Sequence, residues 1–547
     1  MRLLRIIFAV LSIACPIHSA AGQNVKGEIA AGFKGYYRIG KCMPIKIHLE
    51  NSGSDLAGKI VIQISQSSFS QVVSLPSPSR KTFAFYIVPP KYFHELEVKL
   101  FTDGKLLKAF NSAVRRVSDE ELLIIKASTL RLPLSSGDPL SESQHKEKTV
   151  YLAPEDFPES WNDYDAVNSV VLDVSDTTRL NELQRTALSR WTLLGGSVIL
   201  INRDGTIAEP GKTIEAAFPR TVLGLGSFGG IEDFERNAAP VYKPSLLDLD
   251  EEIFKALRVR NPIPLGKIIL PLGIFLLLYG CMVVSCHHFS TKIGKRSIWS
   301  FAGVPAIAIL FAGLCPWISK GVNAGNMLVR QYSIAHVFAN SVDAFTTNDL
   351  SLLFPRKGSG TLRPVVPSSY MVQNESEDTA NIRYYEFQGK GVPAATINMD
   401  LWRTRLLSLA SFSSQGQLTV LRNTESTVLV NRSAYGLRDC TLIQNGVSVP
   451  IGDMPAGREL QLKAESAMPD VDAASRRNLG SGILSKAVDV YQSETLAGMT
   501  GDCVICAMNG LIPGFKSDSE GLSYEGSTAV IYHLGKNPAE ESGVGAK

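Results

Sequence analysis

Arg190 to Ile201 reads RWTLLGGSVILI: the last turns of a helix, a glycine stop and a buried strand. Gly195 supplies the left-handed residue that commonly ends a helix, and the short apolar run Ser197–Ile201 fits a strand covered on both faces. Upstream, Leu180, Leu183, Ala187, Leu188, Trp191 and Leu194 fall along one helical face, with Asp176 or Thr178 placed to cap its start. VNSVVLDV (Val167–Val174) precedes that helix as another strand. Strand, helix and strand in this order fit a right-handed βαβ crossover, and hence a parallel sheet with helices on its faces. ELLIIKAS from Glu121 and KTVYLAP from Lys148 read as further short strands, and LLDLDEEIFKALRVR (Leu246–Arg260) as a closing helix. An α/β domain is expected over residues 118–262.

The flanking sequence follows a different period. PIKIHLEN, KIVIQISQ and KTFAFYIV alternate between apolar and polar residues, with turn clusters NSGSD and PSPSR between them. That pattern predicts an antiparallel β-sandwich over residues 23–117. Alternation returns over residues 320–535, where Asn445-Gly446 sits between two strands as a type I′ hairpin turn. A short helix is expected around SGILSKAVDVY (Ser481–Tyr491), closing strands at DCVICAMNG and STAVIYHLG, and a disordered tail at 536–547.

The beginning, MRLLRIIFAVLSIACPIHSAAGQ, pairs Arg2 and Arg5 with an apolar core and small residues at Ser19 to Gly22. This is the layout of a signal peptide over residues 1–22. Ile268–Cys286 and Ser297–Ser319 are uncharged runs, each meeting the ~20-residue requirement for crossing a ~30 Å hydrocarbon layer. They predict membrane helices at 267–288 and 298–319, joined by a basic cytoplasmic turn at 289–297. Trp299 and Trp317 would serve as interfacial anchors. The expected product is a bacterial inner-membrane protein, integral through two helices, with its main domains extracytoplasmic.

With 55 basic and 52 acidic residues among 547, the net charge of +3 gives no reason to expect nucleic acid as a partner. Of the 8 cysteines, Cys15 lies in the leader and Cys281, Cys286 and Cys315 in the apolar runs. Cys42, Cys440, Cys503 and Cys506 remain, and the sequence assigns no disulfide among them.

VYLAP, SVVLDVSD and LQRTALSRWTLLGGSVILI together resemble the class I glutamine amidotransferase-like fold. The chain is similar in particular to uncharacterised bacterial membrane proteins in which a β-rich domain precedes that fold and membrane spans follow it. PLGIFLLLYG, SIWSFAGVPAIAIL and the pattern LRDC…VSVPIGDMPAGRELQL carry the rest of the likeness. The resemblance implies a multidomain α/β plus all-β protein with a membrane anchor and a C-terminal β-sandwich domain. It also implies neighbours of the MoxR ATPase and von Willebrand A-domain types, and so a part in a multiprotein envelope complex.

Amidotransferase chemistry needs a thiolate on a strand-to-helix elbow beside a base. No cysteine lies between Cys42 and Cys281, and the only histidine of the α/β domain is His145, in a polar loop. The domain is therefore expected to be degenerate, unless Cys42 reaches it from the neighbouring domain. Ser197 opens a strand rather than an elbow, and Ser227 lacks the G-x-S-x-G spacing. Gly224–Gly229 matches G-x-G-x-x-G but no apolar helix follows, so a loop is expected. Asp173, Asp176, Asn202 and Asp204 fall at strand carboxyl ends, where open α/β sheets bind ligands; capping and loop roles account for them more simply. Cys503 and Cys506 form a lone C-x-x-C on a strand, facing opposite sides, without the further ligands zinc requires. His287-His288 is too isolated for a metal site.

These features assign no catalytic, cofactor-binding or metal residue, and no cofactor. The expected function is a non-catalytic interaction or assembly role among protein partners of the envelope. Two other readings stay open. One is a hydrolase with a serine or carboxylate site in a pocket lined by Asp173, Asp176 and Asp204. The other is an envelope glycan binder using Tyr36-Tyr37 or Tyr384-Tyr385.

Overall fold

Among the described residues six β-sheets organise the chain. The computed structural model describes residues 24–535 apart from 65–66, 90–91, 119, 128–146, 203–226, 230–245, 261–264, 293–302, 314–326, 340, 342, 354–357, 367–369, 373–382, 388–393, 400–403, 414–417, 423–425, 445–446, 464–481, 492–501, 509, 511, 513–514 and 518–521. The leader, His145, Asp204 and the tail therefore lie outside the described residues.

A five-stranded parallel sheet runs in the order Glu147–Leu152, Leu122–Ala127, Ser169–Asp173, Ser197–Ile201, Ser227–Gly229. Between the third and fourth of these lies helix α1, Glu182–Leu193. Its start differs from the expectation. Asn181 is the N-cap, accepting from the Gln184 backbone N–H while the Gln184 side chain accepts from the Asn181 backbone N–H. This reciprocal capping box satisfies two backbone donors at once. Gln184 also takes the core position expected for Leu183, which is exposed; its amide donates to the carbonyls of Pro154, Glu155 and Phe157. At the other end Gly195 has φ +114°, and a Cβ on Gly196 would meet the Trp191 ring at 2.3 Å. One glycine turns the chain and the other lets strand and helix approach.

Two eight-stranded sheets build the β regions. The central sheet runs Tyr370–Val372, Thr404–Ser413, Ala344–Leu353, Met327–Phe338, Leu522–Gly535, Asp502–Met508, Leu437–Gln444, Val447–Met454. The second sheet is shared between distant parts of the chain. Strand Arg383–Phe387 lies parallel to Ser67–Leu75, Arg383 opposite Ser67 and Phe387 opposite Gln71. An edge of the N-terminal region is thereby covered by a strand from beyond residue 380, which removes an open row of backbone donors and acceptors.

Helices α2 (Leu246–Arg260) and α4 (Ile483–Tyr491) pack together against one face of the central sheet. The same apolar core continues into the parallel layer. Trp161 meets Phe345 and Phe412 edge-on at 5.6 and 5.3 Å, and Arg190 pairs with Asp343 at 2.9 Å. Aromatic pairs of this kind contribute ~0.5–1.5 kcal/mol each beyond area burial. The opposite face carries a separate core holding Cys440, Cys506 and Tyr532.

The expected architecture, α/β plus all-β with a membrane anchor, is corrected in two respects. Strands dominate, and among the described residues α1 is the one α-helix joining strands of the parallel sheet, few for an amidotransferase-like α/β domain. Among the described residues no helix is long and apolar enough to cross a membrane. Helix α3 spans Leu265–Lys292. A second helical stretch, 303–313, meets α3 where Phe311 packs on Phe275 and Tyr279. The transmembrane hairpin at 267–288 and 298–319, the integral membrane partnership and the inner-membrane location are corrected with it.

Candidate functional site

The most chemically loaded cluster joins three elements far apart in sequence. In α2, Leu249, Ile253, Phe254 and Leu257 form the buried face, and Asp250 is carried inward among them. In strand Met327–Phe338 the two-residue period that buries Ile334 and Phe338 also buries His336, and in strand Leu522–Gly535 it turns His533 inward beside Ile531. His336 Nε2 lies 3.0 and 3.1 Å from the two Asp250 carboxylate oxygens, and His336 Nδ1 lies 3.0 Å from His533 Nε2. The Thr347 hydroxyl donates to the same carboxylate. His533 stacks on Phe338 with ring centroids 5.0 Å apart, and the Tyr491 ring of α4 stands 6.1 Å away.

Electrostatics follow from burial. His533 is pushed well below the ordinary histidine range, by desolvation first and by His336 second. It is neutral at pH 7, so one of its ring nitrogens carries no proton. His533 Nδ1 and the Tyr491 hydroxyl are both buried without a hydrogen-bond partner. Burial, with the nearby Asp250 and Cys503 as smaller causes, also raises the Tyr491 phenol well above its usual range. An ionised Asp250 makes His336 a donor at Nε2, and His336 Nδ1 and His533 Nε2 then share a single proton. Asp250, His336 and His533 thus form one continuous hydrogen-bonded chain.

A small cavity of ≈ 60 Å³ reaches this cluster from the side of Asp250 and Thr347. Lys41, Asp165, Glu251 and Ser408 complete its polar lining, and Leu247, Phe254 and Leu409 contribute apolar surface. Lys41 is paired with Asp165 at 3.6 Å, and the Ser408 hydroxyl donates to Asp349 at 2.8 Å.

The residues singled out from sequence fare differently. Cys42 does enter the core of the parallel layer; it is fully buried, with the Asn162 amide donating to its sulfur at 3.4 Å and its backbone N–H donating to Asp165. The described histidines are engaged elsewhere: His48 with Thr82, His94 with Tyr92, His336 and His533 with each other, and His287 and His288 on exposed turns of α3. Asp173 accepts from the Ser175 backbone, and buried Asp176 pairs with Arg179, so neither is gathered into a common site. Ser197 and Ser227 face each other in strand register rather than on an elbow. Cys503 and Cys506 point into opposite cores. Tyr37 is buried and donates to the Phe93 carbonyl, and Tyr384 and Tyr385 sit opposite Thr396 and Ala395 on a paired strand. Among the described residues no group of His, Cys, Asp and Glu could hold a metal ion.

Sequence reasoning passed over Asp250, His336 and His533. The signal was present: each is a polar residue on the apolar phase of its helix or strand, as Asp250 is between Leu249 and Ile253.

Comparison with known proteins adds little. Residues 24–115 match a family model described as a domain of unknown function, DUF8726. No curated protein matches the chain. Among solved structures, the CARDB domain of a Pyrococcus furiosus protein, in complex with di-metal ions, is 14% identical. That match spans 18% of this chain and 97% of that one, with a TM-score of 0.15. The yeast delta-COP-I mu-homology domain, complexed with a Dsl1 peptide, is 10% identical over 38% of this chain and 96% of its own, with a TM-score of 0.21. A Listeria innocua beta-glucosidase in complex with glucose is 12% identical over 17% and 16%, at 0.13. Likenesses this slight carry no argument about fold or function.

Proposed function

We propose that the protein is a non-catalytic interaction or assembly component, in which an α/β layer and β layers are fused into one framework that presents surfaces to partner proteins. One observation carries this reading. The thiol in the core of the parallel layer is Cys42, sealed from solvent under the Asn162 amide. A thiol that cannot meet a substrate cannot act as a nucleophile. The carboxylates at the strand ends are likewise committed to local turns. The test is direct: the folded chain should not hydrolyse glutamine or simple amides, and Cys42 should resist iodoacetamide until the chain is denatured. An amidase activity lost in Cys42→Ala would overturn the reading.

A second reading, acid–base chemistry at Asp250, is favoured by the cavity that reaches it. A hydrolytic turnover abolished by Asp250→Asn and by His336→Gln, with the fold retained by circular dichroism, would replace the first reading. Equal background rates in all three proteins would remove the second.

A further inference from the structure

We propose that Cys440 and Cys506 form a disulfide that clamps the outer end of the central sheet. Strand Leu437–Gln444 pairs antiparallel with Asp502–Met508, Arg438 opposite Ala507 and Thr441 opposite Ile505. Two residues, Asp439 and Cys440, therefore stand against the single residue Cys506. This is a β-bulge, and within it Asp439 has a left-handed φ of +51°.

Both cysteines point into the same core and both are fully buried. Directly opposed residues on antiparallel strands hold their Cβ atoms ~4.5–5.5 Å apart, and a disulfide needs ~3.5–4.5 Å. Closing the bond thus asks the bulged strand to draw slightly inward. The pair is also selective. Cys503, three residues from Cys506, lies in the core on the opposite face of the sheet, and Cys42 is in that opposite core as well. Cys440 lies close enough to add to burial in raising the Cys506 thiol well above its usual range. The buried Tyr532 hydroxyl beside them has no hydrogen-bond partner.

The chemistry is thiol–disulfide exchange with a small-molecule disulfide or an oxidised dithiol protein. The thiolate of one cysteine attacks the oxidant's disulfide, forming a mixed disulfide and releasing one thiolate. The second cysteine's thiolate then attacks the mixed disulfide, closing Cys440–Cys506 and releasing the other thiolate. Two electrons pass to the oxidant, and the two cysteine protons end on the released thiols. Exchange needs thiolates and access. Burial holds the Cys506 thiol protonated in the finished core, so the bond forms during folding or when the sheet's end opens. Among the described residues one strand, Val447–Met454, lies outside Leu437–Gln444 in that sheet, so the pair sits near a sheet edge, where local opening is least costly.

The test uses the full chain refolded in a glutathione–glutathione disulfide buffer, acid-quenched, denatured and alkylated with N-ethylmaleimide before proteolysis and mass spectrometry. The expected result is one reducible cross-link joining the Cys440 and Cys506 peptides, with Cys42 and Cys503 alkylated. On a non-reducing gel the looped chain should migrate faster, and Cys440→Ser or Cys506→Ser should each abolish that shift. A reductant should lower the Tm of the wild type and leave that of the double variant unchanged. Alkylation of both Cys440 and Cys506 in the oxidised wild type would overturn the proposal. So would a cross-link between Cys503 and Cys506. The mapping reads the wild type, so it stands even if a variant fails to fold.

Discussion

Asp163 and Asp250 are the same residue type placed inside the same protein, and they meet burial in opposite ways. Asp250 is received by the Thr347 hydroxyl and by His336, which is itself backed by His533. Asp163 lies in a 3-10 turn, Trp161–Tyr164, where the parallel layer meets the N-terminal strands. It keeps a little exposed surface, yet protein surrounds it closely enough that desolvation pushes its carboxyl up to about 7, with the Lys46 charge as the opposing influence. The difference is one of provision. Where facing elements bring donors, a buried carboxylate becomes a cross-link between helix and sheet; where they do not, it holds its proton up to neutral pH.

The largest effect should come from breaking the well-provided site. Asp250→Ala leaves His336 Nε2 and the Thr347 hydroxyl buried without their acceptor, and stability in urea should fall by about 3–5 kcal/mol. A loss below about 1 kcal/mol would mean that water reaches the site and that the contrast with Asp163 is not one of partners. The poorly provided site should respond with the opposite sign. Between pH 3.8 and about 7 the folded chain keeps a proton on Asp163 that the unfolded chain has released. Its contribution to stability is therefore full below pH 3.8 and lost as the pH rises through about 7. Asp163→Asn should stabilise the protein by about 2 kcal/mol at pH 8, allowing for the surface it retains, and change nothing at pH 3.5. Thermal unfolding at the two pH values reads the difference.

How much of this was legible depends on which residues face inward. The run Arg190–Ile201 gave the helix end, the turn at Gly195 and the strand Ser197–Ile201. It misled where a polar residue lay on the buried phase: Gln184 is buried and Leu183 exposed, because Gln184 both completes the cap and holds three carbonyls. Asp250, His336 and His533 were missed for the same reason. Their periodicity was readable, but their partners lie 86 and 197 residues away along the chain, and no local pattern reports such meetings. The strand shared between Arg383–Phe387 and Ser67–Leu75 was hidden likewise, since parallel pairing between remote segments leaves no turn signal. The apolar runs pointed to membrane spans by composition and length, and among the described residues no helix is long and apolar enough to cross a membrane.

A third variant asks whether the cluster behind Asp250 sets its own pH limit. His533 stays neutral in the fold, whereas in the unfolded chain it takes a proton below about pH 6.5. Stability from the neutral ring is full above that pH and declines as the pH falls. His533→Phe keeps the stacking on Phe338 and removes the titration. The wild type should lose about 1 kcal/mol more than this variant between pH 7 and pH 5. Equal losses would place the acid limit elsewhere in the molecule.

The smallest effect isolates the charge among the described residues that favours an ionised Asp163. Lys46 lies on strand Met43–Asn51, and its ammonium draws the Asp163 carboxyl down against desolvation. Lys46→Met removes that attraction and keeps most of the stem, so the Asp163 carboxyl should rise further. At pH 8, where the carboxylate is charged, the variant should lose under about 1 kcal/mol, the usual scale for a pair that water still reaches. At pH 3.5 it should lose nothing, because a protonated carboxyl feels no such pull. The Asp163→Asn background supplies the control: there Lys46→Met should be silent at both pH values, and the coupling from the double-mutant cycle should equal the pH 8 loss. A Lys46→Met loss that persists alongside Asp163→Asn would show that the lysine acts through its packing, and that nothing beyond desolvation sets the protonation of Asp163.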